Sequence, residues 1–197
     1  GSSILAQTLS QMGDATPDVD SAEDLKNFWN AIQQLGKEDK ILAYHDRSDG
    51  GLFAAAVEMA FAGNVGVNLE VLSEGDPFAP LFSEELGALI QVSGSDLADV
   101  FDILKRHGLE DCSNIVGRLN AGYQIQISEA GEVLYEEDLS VLRAVWSDVT
   151  FRMQNLRDNP ESAASEHAIR QDRKNPGISP KVTFEIEDLK FEIGNTA

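Results

Sequence analysis

The most informative stretch of the sequence is Ile41-Leu42-Ala43-Tyr44-His45-Asp46-Arg47-Ser48-Asp49-Gly50-Gly51, together with the Ala-rich segment 52–61 that follows it. It predicts a strand, then a turn, then a helix. The apolar residues 41–44 are typical of a buried strand, and segment 52–61 has apolar residues at helical spacing. Gly50 and Gly51 allow backbone conformations and close approaches that a side chain would block. The stretch therefore predicts a glycine turn between a buried strand and the start of a helix.

The polar residues of this turn predict a site for an anion or a metal ion. The start of a helix presents free N–H groups, which attract phosphate. Two carboxylates and a hydroxyl lie in the same turn, and hard cations such as Mg²⁺ prefer oxygen ligands of this kind. A strand that feeds a helix through such a turn is a common way to hold phosphate or metal.

Composition and length are those of a soluble protein with one domain, or one domain with a tail. The chain has 197 residues, of which 42% are hydrophobic and 25% charged, both ordinary values for a globular protein. No apolar run approaches the roughly 20 residues that span a bilayer, and no charged-then-apolar leader opens the chain. Cys112 is the single cysteine, so we predict no disulfide framework and a cytoplasmic location.

The net charge of −19 is concentrated in residues 1–150, which hold 8 Lys/Arg and 26 Asp/Glu. Such an acidic surface repels a nucleic-acid backbone, which normally needs a basic face. It does not exclude a nucleotide, because Mg²⁺ and backbone N–H groups neutralise a few phosphates locally. The charge pattern therefore excludes nucleic acid as the expected partner but leaves nucleotides open.

Apolar periodicity predicts an α+β fold with a mixed sheet and covering helices. Predicted helices, besides the one after the glycine turn, cover 3–12, 21–36, 95–107 and 139–156, and predicted strands cover 65–71, 86–92, 114–119, 123–127 and 133–135. Residues 128–132 are expected to form a hairpin turn. Trp29 and Trp146 lie at helical apolar positions and are predicted to be in the core.

The composition changes at Arg157. Pro160, Pro176 and Pro180 interrupt the segment and apolar residues become sparse, so we predict a domain over 1–156 and a partly irregular linker over 157–197. Val182, Phe184 and Ile186 alternate with polar residues and could form an edge strand.

Four segments resemble, in order, the phosphoribosylformylglycinamidine synthase family, also called formylglycinamide ribonucleotide amidotransferase, in its large bacterial type. They are His45–Leu52, Glu58–Gly63, Phe82–Ala88 and Arg152–Pro160. The resemblance implies the C-terminal half of the second of two units similar to aminoimidazole ribonucleotide synthetase, with a three-layer α/β/α sandwich. Residues 157–197 would then lead toward a glutaminase domain that this chain lacks.

The resemblance also implies an activity. This family is a ligase of de novo purine biosynthesis that uses ATP and glutamine-derived ammonia to convert a formamide to an amidine. The family's metal ligand matches Asp46 and its nucleotide contact matches Ser48, with Gly50 and Gly51 shaping the turn. The implied cofactors are ATP or ADP and Mg²⁺, and the implied partners are the barrel-forming and glutaminase domains of the same polypeptide. No catalytic residue is assigned in this chain, which is expected to be inactive by itself.

Each site residue also has a structural interpretation. Asp46 is alternatively an Asx-turn residue, Ser48 a helix N-cap or turn serine, and Asp49 is predicted to be the N-cap. His45 is expected to fix the loop rather than act as a general base, and of Glu84 and Glu85 one is expected to anchor a loop. The alternative functions are an interaction domain that binds no nucleotide, and another ATP-using enzyme of the same superfamily, similar to selenophosphate synthetase.

Overall fold

The structure, a computed structural model, describes residues 3–14, 17–73 and 75–183, and these ranges contain seven α-helices and six strands. The helices are α1 (Ile4–Thr8), α2 (Ala22–Lys37), α3 (Gly51–Gly63), α4 (Phe78–Phe82), α5 (Leu97–Arg106), α6 (Leu139–Arg157) and α7 (Pro160–Gln171). The strands are β1 (Ala43–Asp46), β2 (Gly66–Glu70), β3 (Ala88–Gln91), β4 (Gly117–Asn120), β5 (Gln124–Glu129) and β6 (Glu132–Asp138). A short 3₁₀ helix, Glu110–Cys112, follows α5.

The larger sheet has the strand order β4-β2-β5-β6 and is mixed. Strand β2 is antiparallel to β4 and parallel to β5, and β5 forms an antiparallel hairpin with β6. The hairpin turn places Ala130 at φ 50° and Gly131 at φ 82°, as a tight type I′ turn requires. This confirms the predicted hairpin and the predicted α+β class with a mixed sheet.

Strands β1 and β3 form a separate two-stranded antiparallel sheet, in which Tyr44 pairs with Ile90. The strand was predicted at 41–44 and fully buried, but it lies at 43–46 and alternates between half-buried and exposed residues. Leu42, just before it, is 60% exposed. The prediction of a buried strand is wrong because only the face with Ala43 and His45 is covered, which leaves Tyr44 and Asp46 exposed on the other face.

Helix α3 lies between the two sheets and carries the glycine turn at its start. It contacts β1 and β3 of the smaller sheet and β2 of the larger sheet. Its buried residues are small or apolar, namely Gly51, Ala55, Ala56, Val57 and Ala60. A helix that is apolar all round is a buried helix. Because α3 packs against both sheets, the turn at its start is held at a fixed place relative to them.

Two hydrophobic clusters hold these elements together. The larger joins α3, α4, β2, β5 and the start of α6, and its fully buried members include Ile125 and Leu139. In the smaller cluster, Leu35 of α2 and Val100 and Ile103 of α5 pack against residues at β1 and β3. The glycine turn therefore joins β1, which follows Ile41 of the smaller cluster, to α3, which belongs to the larger one.

Both tryptophans lie on the surface, contrary to the prediction that they belong to the core. Trp29 is 63% exposed and Trp146 is 58% exposed. Helix α2 turns Ala31 and Leu35 inward instead. On α6, Val145 and Val149 are likewise 70% and 68% exposed.

Residues 160–171 form helix α7, within the segment that was predicted to be partly irregular. Asn159 caps the helix by accepting a hydrogen bond from the Ser162 N–H at 2.9 Å. Pro160 occupies the first turn, where a backbone N–H would have no carbonyl partner within the helix, so its missing N–H costs nothing. The helix packs on α6 through buried Ala163 and through His167, whose ring stacks on Phe151 with centroids 4.3 Å apart. The division into a domain and a linker stays a prediction, and the expected strand at 182–186 extends outside the described residues.

Candidate functional site

The predicted site residues lie together in the turn between β1 and α3, and this turn is fastened to the segment before β3. The Arg47 N–H donates to the Gly87 carbonyl at 2.9 Å, and the Arg47 Nε donates to the Glu85 carbonyl at 3.2 Å. Burial lowers the pKa of the Arg47 guanidinium from its ordinary value, while the nearby Glu85 carboxylate raises it. These bonds fix the turn while its remaining side chains face outward.

Gly50 and Gly51 both adopt the left-handed backbone region, at φ 83° and φ 66°. A Cβ on Gly51 would lie 2.7 Å from the Leu81 carbonyl oxygen, and one on Gly50 would lie 2.7 Å from the Ala54 Cβ. Both positions therefore need glycine for their conformation and for the close approach of α4 and the first turn of α3. The predicted requirement for glycine at both positions is confirmed.

Glu84 anchors the glycine turn, as was expected of one member of the Glu84-Glu85 pair. One of its carboxylate oxygens accepts the Gly50 N–H at 2.8 Å and the Ile4 N–H at 2.9 Å. These two contacts tie the turn to the N-terminal helix α1. The main-chain carbonyl of Glu85 accepts the Arg47 Nε–H, so both residues help to hold the turn.

Asp46 is exposed at the end of β1, and one of its carboxylate oxygens accepts a hydrogen bond from the Tyr44 hydroxyl at 2.6 Å. Burial of the phenol, and then this hydrogen bond, raise the pKa of Tyr44 to about 12. The alternative role of Asp46 as an Asx-turn residue would need a bond to a nearby N–H, and none is formed within the described residues. The other carboxylate oxygen is therefore available to a ligand.

One carboxylate with a free oxygen fits a magnesium ion that is shared with other groups. Mg²⁺ is commonly bound by one or two carboxylates together with waters and substrate phosphates. Among residues 3–14, 17–73 and 75–183, no group of three His, Cys, Asp or Glu side chains converges on a common point. The described residues therefore form no complete metal cage around Asp46.

Ser48 and Asp49 are exposed beside the first turn of α3. The N-cap of α3 is Gly50, without any side-chain hydrogen bond to the helix, so the predicted capping role of Asp49 is wrong. The same observation excludes the N-cap alternative for Ser48. The left-handed glycines bring the chain into the helix without a capping side chain, which leaves the Ser48 hydroxyl free of partners among the described residues.

His45 fixes the loop, as expected, and does so through Glu58 of α3 and the backbone of Asp46. Its Nε2 lies 2.7 Å from a carboxylate oxygen of Glu58, and its Nδ1 lies 2.7 Å from the Asp46 carbonyl oxygen. The other Glu58 oxygen accepts the Trp146 indole N–H at 2.7 Å. Glu58 is the one acidic residue in the apolar helix α3, which was a signal that it has a specific partner.

A family model described as "AIR synthase related protein, C-terminal domain" matches residues 1–128. This chain belongs to that family. The match includes the glycine turn, α3 and both sheets as far as β5, whereas β6, α6 and α7 lie beyond it. It confirms the expected C-terminal domain similar to aminoimidazole ribonucleotide synthetase.

Solved structures of Thermotoga maritima proteins share the fold of the AIR synthase related domain. T. maritima PurL complexed with FGAR is 21% identical, covers 61% of this chain and has a TM-score of 0.55. T. maritima PurL complexed with ATP is 17% identical, with 66% coverage and a TM-score of 0.55. Phosphoribosylformylglycinamidine synthase II from the same organism is 18% identical, with 61% coverage and a TM-score of 0.53. This chain spans 21%, 24% and 21% of those three chains, respectively.

Within the described ranges, no helix combines the length and the apolar character that crossing a bilayer requires.

Proposed function

We propose that this AIR synthase related domain supplies one wall of a magnesium–nucleotide site in a phosphoribosylformylglycinamidine synthase. The observation that carries the proposal is the exposed pair Asp46 and Ser48, held at a left-handed glycine turn directly before α3. Neither side chain caps α3, and Asp46 forms no Asx-type bond to a nearby N–H within the described residues. The PurL structures complexed with ATP and with FGAR support this enzyme class.

Each residue of the turn has a defined task in this proposal. Asp46 binds Mg²⁺ through its free carboxylate oxygen, and Ser48 donates its hydroxyl to a phosphate oxygen or to a water on the metal. Gly50 and Gly51 hold the backbone so that the start of α3 faces the phosphates. Bound Mg²⁺ neutralises phosphate charge, which an acidic surface of this kind could not do by itself.

The remaining parts of the enzyme are proposed to lie outside this chain. The three solved structures are four to five times as long as the segment that this chain matches, and we propose barrel-forming and glutaminase domains of the same polypeptide as the partners. The reaction would convert formylglycinamide ribonucleotide to the amidine, with ATP and glutamine-derived ammonia. We further propose that this site holds its nucleotide in an auxiliary role, and that the protein is cytoplasmic.

Asp46→Asn should weaken binding of Mg·ADP by at least about tenfold, because the amide loses the charge that a metal ligand provides. Ser48→Ala should weaken it by about threefold to tenfold, the effect of one hydrogen bond. The measurement is isothermal titration calorimetry on a protein extended upstream to include the barrel-forming half. Asp102→Asn on α5 is the matched control, since it makes the same charge change on an exposed residue away from the turn. Equal affinities for the wild type and all three variants would remove the assigned roles.

The chain by itself should release no phosphate when mixed with ATP, formylglycinamide ribonucleotide and an ammonium salt. The expected reason is that the opposite wall of the site and the catalytic groups belong to the absent domains. A coupled phosphate assay checks this, with the extended multidomain enzyme as the positive control. Turnover by the 197-residue chain at a rate near that control would contradict the proposed division of labour.

An interaction domain that binds no nucleotide is the second candidate, and the open apolar side of α6 favours it. Val145, Val149 and Met153 are between 66% and 70% exposed on one side of that helix, as in surfaces that contact another protein. The two functions differ in the calorimetric experiment, because an interaction domain gives no Mg·ADP binding heat even in the extended protein.

A further inference from the structure

The glycine turn is connected to α6 by a continuous chain of hydrogen bonds. The Trp146 Nε1–H donates to one oxygen of Glu58, whose other oxygen lies 2.7 Å from the His45 Nε2. The opposite nitrogen of the His45 ring lies 2.7 Å from the carbonyl oxygen of Asp46. We propose that Trp146 and Glu58 are positioning residues for the nucleotide turn, acting through His45 on the backbone of Asp46.

Trp146 contacts Glu58 through a specific hydrogen bond, and burial of the ring does not account for its position. The side chain is more than half exposed, so its packing contributes less than a core tryptophan would. Its one aromatic neighbour among the described residues is Phe61, in an edge-on arrangement with centroids 5.8 Å apart. Trp29, which is exposed to a similar degree, makes no hydrogen bond within the described residues. The indole N–H of Trp146 is therefore the feature that distinguishes it from an ordinary surface tryptophan.

Glu58 is held at a point where its orientation matters for the turn. It lies on the buried helix α3, which provides a rigid base. One of its carboxylate oxygens contacts the His45 Nε2, and the other accepts the Trp146 indole N–H. A carboxylate with two partners has less rotational freedom than one with a single partner, because each bond restricts its torsion angles. Loss of the indole donor would thus loosen Glu58 and, with it, the His45 ring.

Asp46 receives two constraints from its own strand. Tyr44 holds the carboxylate, and His45 holds the carbonyl. The proposed metal-binding oxygen is therefore oriented from both its side chain and its backbone. Preorganisation of this kind raises affinity, since less freedom is lost when the ligand binds.

Trp146 lies beyond the segment of the chain that matches the family model. The family match ends at residue 128, whereas Trp146 lies on α6 beyond it. The turn, His45 and Glu58 lie within the matched segment. An element beyond the matched segment thus contacts the glycine turn through His45 and Glu58. The effect of this contact on nucleotide binding rests on the function proposed above.

The first test follows the turn in the 197-residue chain by ¹⁵N NMR, without nucleotide. Trp146→Phe removes the N–H but keeps a ring beside Phe61, and it should shift the amide signals of Gly50 and Gly51. The matched control Trp29→Phe should leave those signals in place. In a Glu58→Ala background, Trp146→Phe should cause no further shift of the turn, because the relay is already broken. Additive shifts in the double variant, or no shift in either single variant, would overturn the proposal.

The second test measures Mg·ADP affinity in the extended protein. Trp146→Phe should weaken binding by about twofold to tenfold, the range for one hydrogen bond acting indirectly, whereas Trp29→Phe should not change it. If the wild type binds no nucleotide, the proposed function fails. The NMR experiment then still shows whether Trp146 and Glu58 act together on the turn. If the wild type binds Mg·ADP and Trp146→Phe binds equally well, the positioning role fails and the proposed function stands.

Discussion

Gly51→Ala should lower the free energy of unfolding by roughly 2–5 kcal/mol, combining backbone strain with overpacking. The residue has φ 66°, which alanine adopts unfavourably, and its Cβ would lie 2.7 Å from the Leu81 carbonyl oxygen. It would also lie 2.9 Å from two backbone atoms of Phe82. Because the obstacles are backbone atoms, rotation of a side chain cannot relieve the contact, and α4 has to move away from α3.

Urea denaturation followed by circular dichroism measures this change. Gly36→Ala is the matched control, because Gly36 lies inside α2 and a Cβ added there would meet no side chain or other element within 4 Å. That variant should be more stable by about 0.5–1 kcal/mol, since alanine is favoured over glycine in a helix. If Gly51→Ala were as stable as the wild type, the close packing of the turn on α4 would be refuted.

Ile125→Ala should have the next largest effect, a loss of about 2–5 kcal/mol of unfolding free energy. The side chain is 0% exposed and belongs to the cluster between the mixed sheet and α3. Strand β5 has neighbours on both sides, pairing Ile125 with Val67 and with Glu137. Truncation therefore leaves a cavity in the middle of the sheet, where the backbone has little freedom to close it.

The same denaturation measurement applies here, with Ile115→Ala as the control. Ile115 is 49% exposed, so the identical chemical change should cost within about 0.5 kcal/mol. A loss of similar size in both variants would show that Ile125 is not a central core residue. The more conservative Ile125→Val should fall between them, at about 0.5–1.5 kcal/mol.

Local features of the fold could be predicted because they depend on residues close together in sequence. The Ala-rich segment after the glycine turn forms α3, and residues 22–37 form α2, with bounds close to those expected. The turn at Ala130-Gly131 joins a hairpin as predicted. Helical period and turn conformation are set by backbone sterics over a few residues, and for this reason the sequence pattern was sufficient.

Part of the site could be predicted in the same way. Asp46, Ser48 and the two glycines lie within six consecutive positions, so the turn brings them together whatever the rest of the chain does. The partners of these residues come from distant segments, since Glu84 lies 34 positions after Gly50 and Trp146 lies 88 positions after Glu58. No local pattern shows which of the many acidic side chains will meet a given donor.

The sequence by itself determined the helices α2, α3, α5 and α6, the hairpin and the glycine turn, whereas α4 and α7 were not predicted. The tertiary structure decided which faces are covered. It left Trp146 and Val149 in solvent, opened one face of β1 and committed Glu84 to the Gly50 N–H. The physical reason is that apolar spacing defines a face of an element but not its neighbour, and burial depends on which other element packs against that face.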